Sequence, residues 1–161
     1  RWCLWLIALG CDAEEARGFL KKLTCSNATI RRIAAVIAWH RCVPELTTAR
    51  AWKAAALRAG KATAGDWLKI AGTTAAAQPA AAIAPAVPLA EAGRWLEEMP
   101  IAGIGDLAVS GDDVKRLPGI SGRRIGEMLE RLALAVATGD LPNRRDALME
   151  QAAAWTEASG T

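Results

Sequence analysis

Apolar side chains recur along this chain at intervals of three and four residues, with polar positions between them in the same rhythm. That spacing lines one face of a helix. A first helix is predicted over Trp2–Leu9, stopped by Gly10. A second opens on Asp12 with Glu15 three residues on, a capping box, and carries Ala16, Phe19, Leu20 and Leu23 on one face. A third, capped by Ser26 or Asn27, repeats Ile30, Ile33, Ala34, Ile37 and Ala38 and ends before Pro44. A fourth follows Thr47, turns Ala51, Trp52, Ala55 and Ala56 inward and stops at Gly60. A short fifth spans Ala64–Ala71 and ends at Gly72.

The texture then changes. Thr73–Pro88 is rich in alanine and proline, and its three prolines forbid one continuous helix. It reads as a semi-rigid spacer or as a broken helix held against the body, and marks a boundary. A sixth helix is expected over Leu89–Glu98, ending at Pro100, and Gly103, Gly105 and Gly111 mark a loop. Ser110 caps a short helix with Asp113 three residues on, Ser121 caps a long one reaching Thr138 and ended by Gly139, and Asn143 caps the last, which reaches Ala158. The pattern is all-α, with no sheet. A helical body over 1–72, a connection over 73–88 and a helical tail over 89–161 form two packed layers of an elongated molecule.

Composition narrows the class. At 161 residues the chain buries roughly 70% of its unfolded surface and needs no metal or disulfide staple. Tyr is absent and Phe occurs once, while Ala, Leu, Glu, Lys and Arg dominate, which favours helices. No apolar run reaches 18 residues, so no transmembrane span is expected. The opening stretch imitates a signal peptide. Asp12, Glu14 and Glu15 follow its apolar run at once, and no small-x-small cleavage site appears, so a buried helix in a cytoplasmic protein is expected. Cys3, Cys11, Cys25 and Cys42 lack metal-ligand spacing and read as free thiols. Trp2, Trp5, Trp39, Trp52, Trp67, Trp95 and Trp155 sit at amphipathic positions and read as core, and His40 carries no catalytic role.

Charge is unevenly spread. Residues 21–41 hold five basic side chains and no acid, 73–114 hold six acids and one base, and 115–145 hold seven bases and three acids. Two basic zones flanking an acidic middle suit an extended polyanion, although a solvated helix face has the same pattern. The second zone contains LPGISGRR, between a short helix and a long one. Gly119, Gly122 and Gly126 let another backbone approach, a helix N-terminus favours a phosphate, and Arg123 and Arg124 supply forked donors. A helix-hairpin-helix phosphate site and a corner packed on its glycines remain alternatives at this point. Further on, Arg144 and Arg145 project from the first turn of the last helix.

The run from Ser110 to Trp155 resembles the C-terminal region of bacterial class II tRNA nucleotidyltransferases, the CCA-adding enzymes with their A-adding and poly(A) polymerase relatives. The matching segments are Val109–Val114, Gly119–Gly126, Ile125–Asn143 and Arg144–Trp155. Residues 1–42 resemble the same family's neck-to-body stretch, with Leu23–Asn27 as the step between helices. The resemblance implies a helical body and tail that hold the acceptor stem and T-arm of tRNA. It also implies an N-terminal catalytic head, in cis or in trans, in which paired aspartates carry Mg2+ and a template helix selects CTP and ATP. This chain shows no such sheet, aspartate pair or template helix, so no cofactor is expected in it, and it is expected to be inactive alone, as a fragment or as the partner of a separate head.

A grip on every tRNA must be a grip on the backbone, because A-form RNA is read by shape, phosphates and 2′-hydroxyls. On that reading the phosphate contacts are Gly119, Ser121, Gly122, Arg123 and Arg124, with Lys115 and Arg116 beside them on the preceding helix and Arg144 and Arg145 beyond. Lys21, Lys22, Arg31 and Arg32 offer a further RNA surface. A helix-hairpin-helix DNA-binding protein and a scaffold that binds no nucleic acid are the competing readings.

Overall fold

The computed structural model describes residues 2–77 and 86–158. These residues form nine α-helices and no strand: α1 (Trp2–Ala8), α2 (Ala13–Lys22), α3 (Asn27–Cys42), α4 (Ala49–Ala59), α5 (Lys61–Ala77), α6 (Leu89–Glu97), α7 (Gly111–Val114), α8 (Arg123–Thr138) and α9 (Arg145–Ala158). Single 3-10 turns follow α3 at Val43–Glu45 and precede α7 at Ile104–Asp106. The protein is all-α, as its periodicity predicts.

Local chemistry sets most boundaries. Asp12 accepts from the N–H groups of Glu14 and Glu15 at 2.8 and 2.9 Å, and the Glu15 carboxylate accepts from Asp12 N. Of the two candidate caps for α3 it is Ser26 that acts, accepting from Thr29 N. The helix expected after Thr47 begins at Ala49, capped by Thr48 through Ala51 N. The fifth helix departs from expectation. It begins at Lys61 and runs through Gly72 to Ala77. A helical glycine costs about 1 kcal/mol relative to alanine but does not by itself stop a helix. Gly72 is absent from the positive-φ positions where Gly10, Gly60 and Gly139 stand. Residues 78–85, which hold most of the expected Ala/Pro connection, lie outside the described residues.

Two apolar clusters hold the helices. The smaller joins Leu6 of α1, Ala16 and Leu20 of α2, and Ile30, Ile33 and Ile37 of α3. The larger runs from Val36 and Trp39 on another face of α3 through Trp52, Trp67, Ala92 and Leu96 to Leu132, Val136, Leu148 and Ala152. The apolar core therefore passes across the 73–88 connection, and α4 packs on both α6 and α8. At its centre the Trp52 ring lies 5.4 Å from Trp39 and 6.0 Å from Trp67. Trp52 Nε1 donates to the carbonyl of Leu46 at 2.9 Å. Trp67 Nε1 donates to His40 Nδ1 at 3.4 Å, and burial lowers the His40 pKa, which favours the neutral ring.

The reading of α1 as a buried helix is corrected. Only Leu6 is buried there, while Trp2, Trp5 and Leu9 face outward. Phe19, Leu23 and Ala38 also lie outside the core. The small cluster takes one stripe from each of its three helices, so apolar residues at the stripe's edge stay exposed. Trp39, Trp52 and Trp67 are buried, and Trp95 and Trp155 pack on the core from its margin, so the core assignment fails only for Trp2 and Trp5.

Candidate nucleic-acid interface

The turn between α7 and α8 carries most of the expected contacts. Ser110 opens α7 with a reciprocal cap: its hydroxyl accepts from Asp113 N, and the Asp113 carboxylate accepts from Ser110 N at 3.0 Å. The helix lasts one turn and buries Val114. A Cβ at Gly111 would lie 3.4 Å from Ile125 and 3.9 Å from Leu129, so this glycine, expected only to mark a loop, stands where α7 packs on α8. Lys115 caps the C-terminus of α7, and Arg116 follows, both exposed.

Ser121 does not cap α8. Gly122 holds the N-cap position with φ 54 and ψ −125 and no side-chain cap bond. That backbone conformation is open to glycine and costly for other residues, and it takes the place that a Ser121 cap would have set. One consequence is chemical. The N–H groups of Ser121, Gly122 and Arg123 donate to no described residue, and the first turn bonds arrive only at Arg124 N and Ile125 N. Uncapped amides at the start of a 16-residue helix present partial positive charge. The positions where a Cβ would stand at Gly119, Gly122 and Gly126 have nothing within 4 Å. These three glycines do not serve packing inside the molecule.

The cations around this turn differ in how free they are. Arg123 is 92% exposed and, among the described residues, pairs only with Glu127 on its own helix, at 2.9 Å. Arg124 donates to the carbonyl of Gly119 at 3.2 Å, which closes the turn over its own helix. Arg145 reaches back to Asp113 at 2.6 Å and ties α9 to α7. Arg144, Lys115 and Arg116 are exposed and make no ion pair with described residues. Asn143 is not the cap of α9. Its amide donates to Asp106 O and its carbonyl oxygen accepts from Ala108 N, both at 2.8 Å, clamping the 3-10 turn to the start of α9. Asp106 in turn accepts from Ala102 N and Gly103 N. No local sequence signal shows a bond over 35 positions; the NRRD pattern favours a cap, and tertiary contact overrides it.

The other basic zone, 21–41, stands apart. Lys21 and Lys22 end α2, exposed, and Arg31 bonds the carbonyl of Asn27. Arg32 grips Asp66 of α5 with two bonds of 2.6 and 2.7 Å, which lowers the Asp66 pKa. The packing partners of α2 and α3 are chiefly each other, α1 and α5, so this zone and the α7–α8 turn are separate surfaces. Sequence reading also passed over a groove of about 710 Å³ between Gly119, α8 and the end of α9, where Arg131 stacks 3.9 Å from the centre of the Trp155 ring.

Residues 1–152 match the model of the family described as tRNA nucleotidyltransferase domain 2, putative. The chain belongs to that family. It is 28% identical over 158 residues to the CCA-adding enzyme of Bacillus velezensis, covering 98% of this chain and 37% of the relative. Its fold matches the crystal structure of the Bacillus stearothermophilus CCA-adding enzyme in complex with CTP, with a TM-score of 0.72 and 24% identity, over 99% of this chain and 38% of that one. The family domain therefore spans little more than a third of the length of either relative, and corresponds to their C-terminal part. No helix among the described residues is long and apolar enough to cross a membrane.

Proposed function

We propose that this domain is the tRNA-holding C-terminal part of a CCA-adding or A-adding tRNA nucleotidyltransferase. On this reading it grips the backbone of the acceptor stem and T-arm in the cytoplasm while a catalytic head, in cis or in trans, extends the 3′ end. The supporting observation is the α7–α8 turn. Among the described residues it has three consecutive amides without partners and three glycines with open space beside them, with Arg123, Arg124, Lys115 and Arg116 on the surrounding surface. Nothing in this arrangement reads a base edge. Amides, guanidinium groups and an N-terminal helix dipole recognise phosphates of any sequence.

Mg2+, ATP and CTP belong to the head on this reading. Among the described residues no three His, Cys, Asp or Glu side chains gather as a metal ion would require.

The test is a salt titration of binding to several tRNAs and to duplex DNA, with the unaltered domain and with Arg123→Ala/Arg124→Ala. The double variant is expected to weaken all tRNAs by a similar factor. The slope of log affinity against log salt should flatten by roughly 0.7–0.9 for each phosphate no longer neutralised. Equal or tighter binding to DNA would favour a DNA-binding module, and binding to neither a scaffold. An unchanged affinity and slope in the double variant would move the RNA surface to Lys21, Lys22 and Arg31.

A further inference from the structure

Exposed large apolar side chains are not scattered over this molecule. Six are exposed among the described residues, and all but Ile104 belong to α1, α2 and the residues that end them: Trp2, Trp5, Leu9, Phe19 and Leu23. Trp2, Trp5 and Leu9 are spaced three and four apart, which lines them along one stripe of α1 and the residue after it, turned away from the side on which Cys3, Leu6 and Ile7 pack. The Trp2 ring meets Phe19 edge-on at 6.2 Å, which joins the stripe to α2. The two outermost are also the most exposed, Trp5 at 66% and Leu9 at 70%.

The helix itself carries the argument further. The sequence of α1, WCLWLIA, contains no charged residue. A helix apolar all round is covered all round, yet the cluster of Leu6, Ala16, Leu20, Ile30, Ile33 and Ile37 covers one side only. The face lies at the N-terminal end of a domain that corresponds to the C-terminal part of relatives, and more than 60% of their length falls outside the match. We infer that the Trp2–Trp5–Leu9 stripe, continued by Phe19 and Leu23, is the seat of the polypeptide that precedes this domain, which docks an apolar helical face of its own upon it. Bases stacking on the two tryptophans do not account for the patch, because Leu9 and Leu23 are aliphatic and offer no ring to stack on. The inference rests on the reading of the domain as part of a longer enzyme, but not on tRNA binding.

Hydroxyl-radical footprinting read residue by residue compares the 161-residue domain with the longer polypeptide that contains it. Oxidation of Trp5 and Leu9 is expected to fall severalfold in the longer polypeptide, with Ile104 unchanged. Trp5→Asp should leave the helix content of the domain as it is, since Trp5 is outside its core, and should restore oxidation of Leu9 in the longer polypeptide. Equal oxidation of Trp5 and Leu9 in the two proteins would overturn the inference. So would protection in the domain alone that grows with its own concentration, which would assign the face to a second copy, or protection that appears only when tRNA is added. Failure of the tRNA titration with protection intact would sink the proposed function and leave the docking face standing.

Discussion

Arg145 Nη2 lies 2.6 Å from Asp113 Oδ1, and this one ion pair joins the first turn of α9 to the one-turn helix that precedes the glycine turn. The Asp113 carboxylate is an acceptor three times over. The N–H of Ser110 holds it, then the Ser110 hydroxyl, then Arg145, and together they depress its pKa to about 2. A carboxylate with a depressed folded pKa favours the folded state above the unfolded value, near 3.9. That contribution is lost as pH falls from there through about 2. Asp113→Asn should therefore show a shallower decline in urea midpoint between pH 5 and pH 2 than the unaltered protein, the difference isolating Asp113 from Asp12 and Asp66, whose pKa values are also lowered. Parallel declines would show that the pair forms equally in the unfolded chain.

The two central tryptophans should respond unequally to the same substitution. Trp52 Nε1 has the Leu46 carbonyl at 2.9 Å, whereas Trp39 Nε1 is buried with no hydrogen-bond partner among the described residues. Trp52→Phe removes a satisfied donor and strands a carbonyl, a loss of about 1–3 kcal/mol before the volume change. Trp39→Phe removes the same volume but relieves an unpaired N–H. Urea unfolding should find Trp39→Phe the milder of the two, and an equal or greater cost would mean that Trp39 Nε1 is satisfied in solution.

Gly122 and Gly126 are four residues apart in one motif and carry opposite expectations. Alanine at Gly122 must adopt φ 54 and ψ −125, a strain of about 1–3 kcal/mol although nothing crowds its Cβ. Alanine at Gly126, inside α8 with open space around it, should stabilise by about 0.5–1 kcal/mol through helix propensity. Thermal melts of the two variants settle the signs. Destabilisation by Gly126→Ala would show that the glycine is needed for more than room.

What was legible in the sequence was what is local. The Asp12–Glu15 and Ser110–Asp113 boxes close within three residues, and both form as read. Gly10, Gly60 and Gly139 end helices because positive φ ends them, and the resemblance in 109–155 was enough to place the family. The misreadings share a cause. Asn143 has the composition of a cap but finds partners 35 and 37 positions away. Ser121 has the composition of a cap but is followed by a glycine whose backbone takes over the position. The outward stripe of α1 is indistinguishable by residue type from the inward one, since both are apolar and only packing divides them. Of the basic side chains singled out, Arg32 and Arg145 are committed to distant carboxylates, which no spacing rule reveals.

The neighbours Arg144 and Arg145 give the sharpest separation of structure from binding. Both are exposed cations at the start of α9, yet among the described residues only Arg145 has an acid partner. Arg145→Ala releases α9 from α7 and leaves Asp113 with the Ser110 bonds alone, so the thermal midpoint should fall. Its side chain is already committed, and its removal should change the salt slope of tRNA binding less than that of its neighbour. Arg144→Ala should leave the midpoint in place. If Arg144 touches a phosphate, its removal should flatten log affinity against log salt by roughly 0.7–0.9. Measuring melting and binding on the same two proteins separates the roles, because a variant that weakens binding only by loosening the fold would lower both together. If Arg145→Ala flattened the slope and Arg144→Ala did not, the Asp113 pair would have to open on binding, and Arg145 would be the RNA-binding residue of the two.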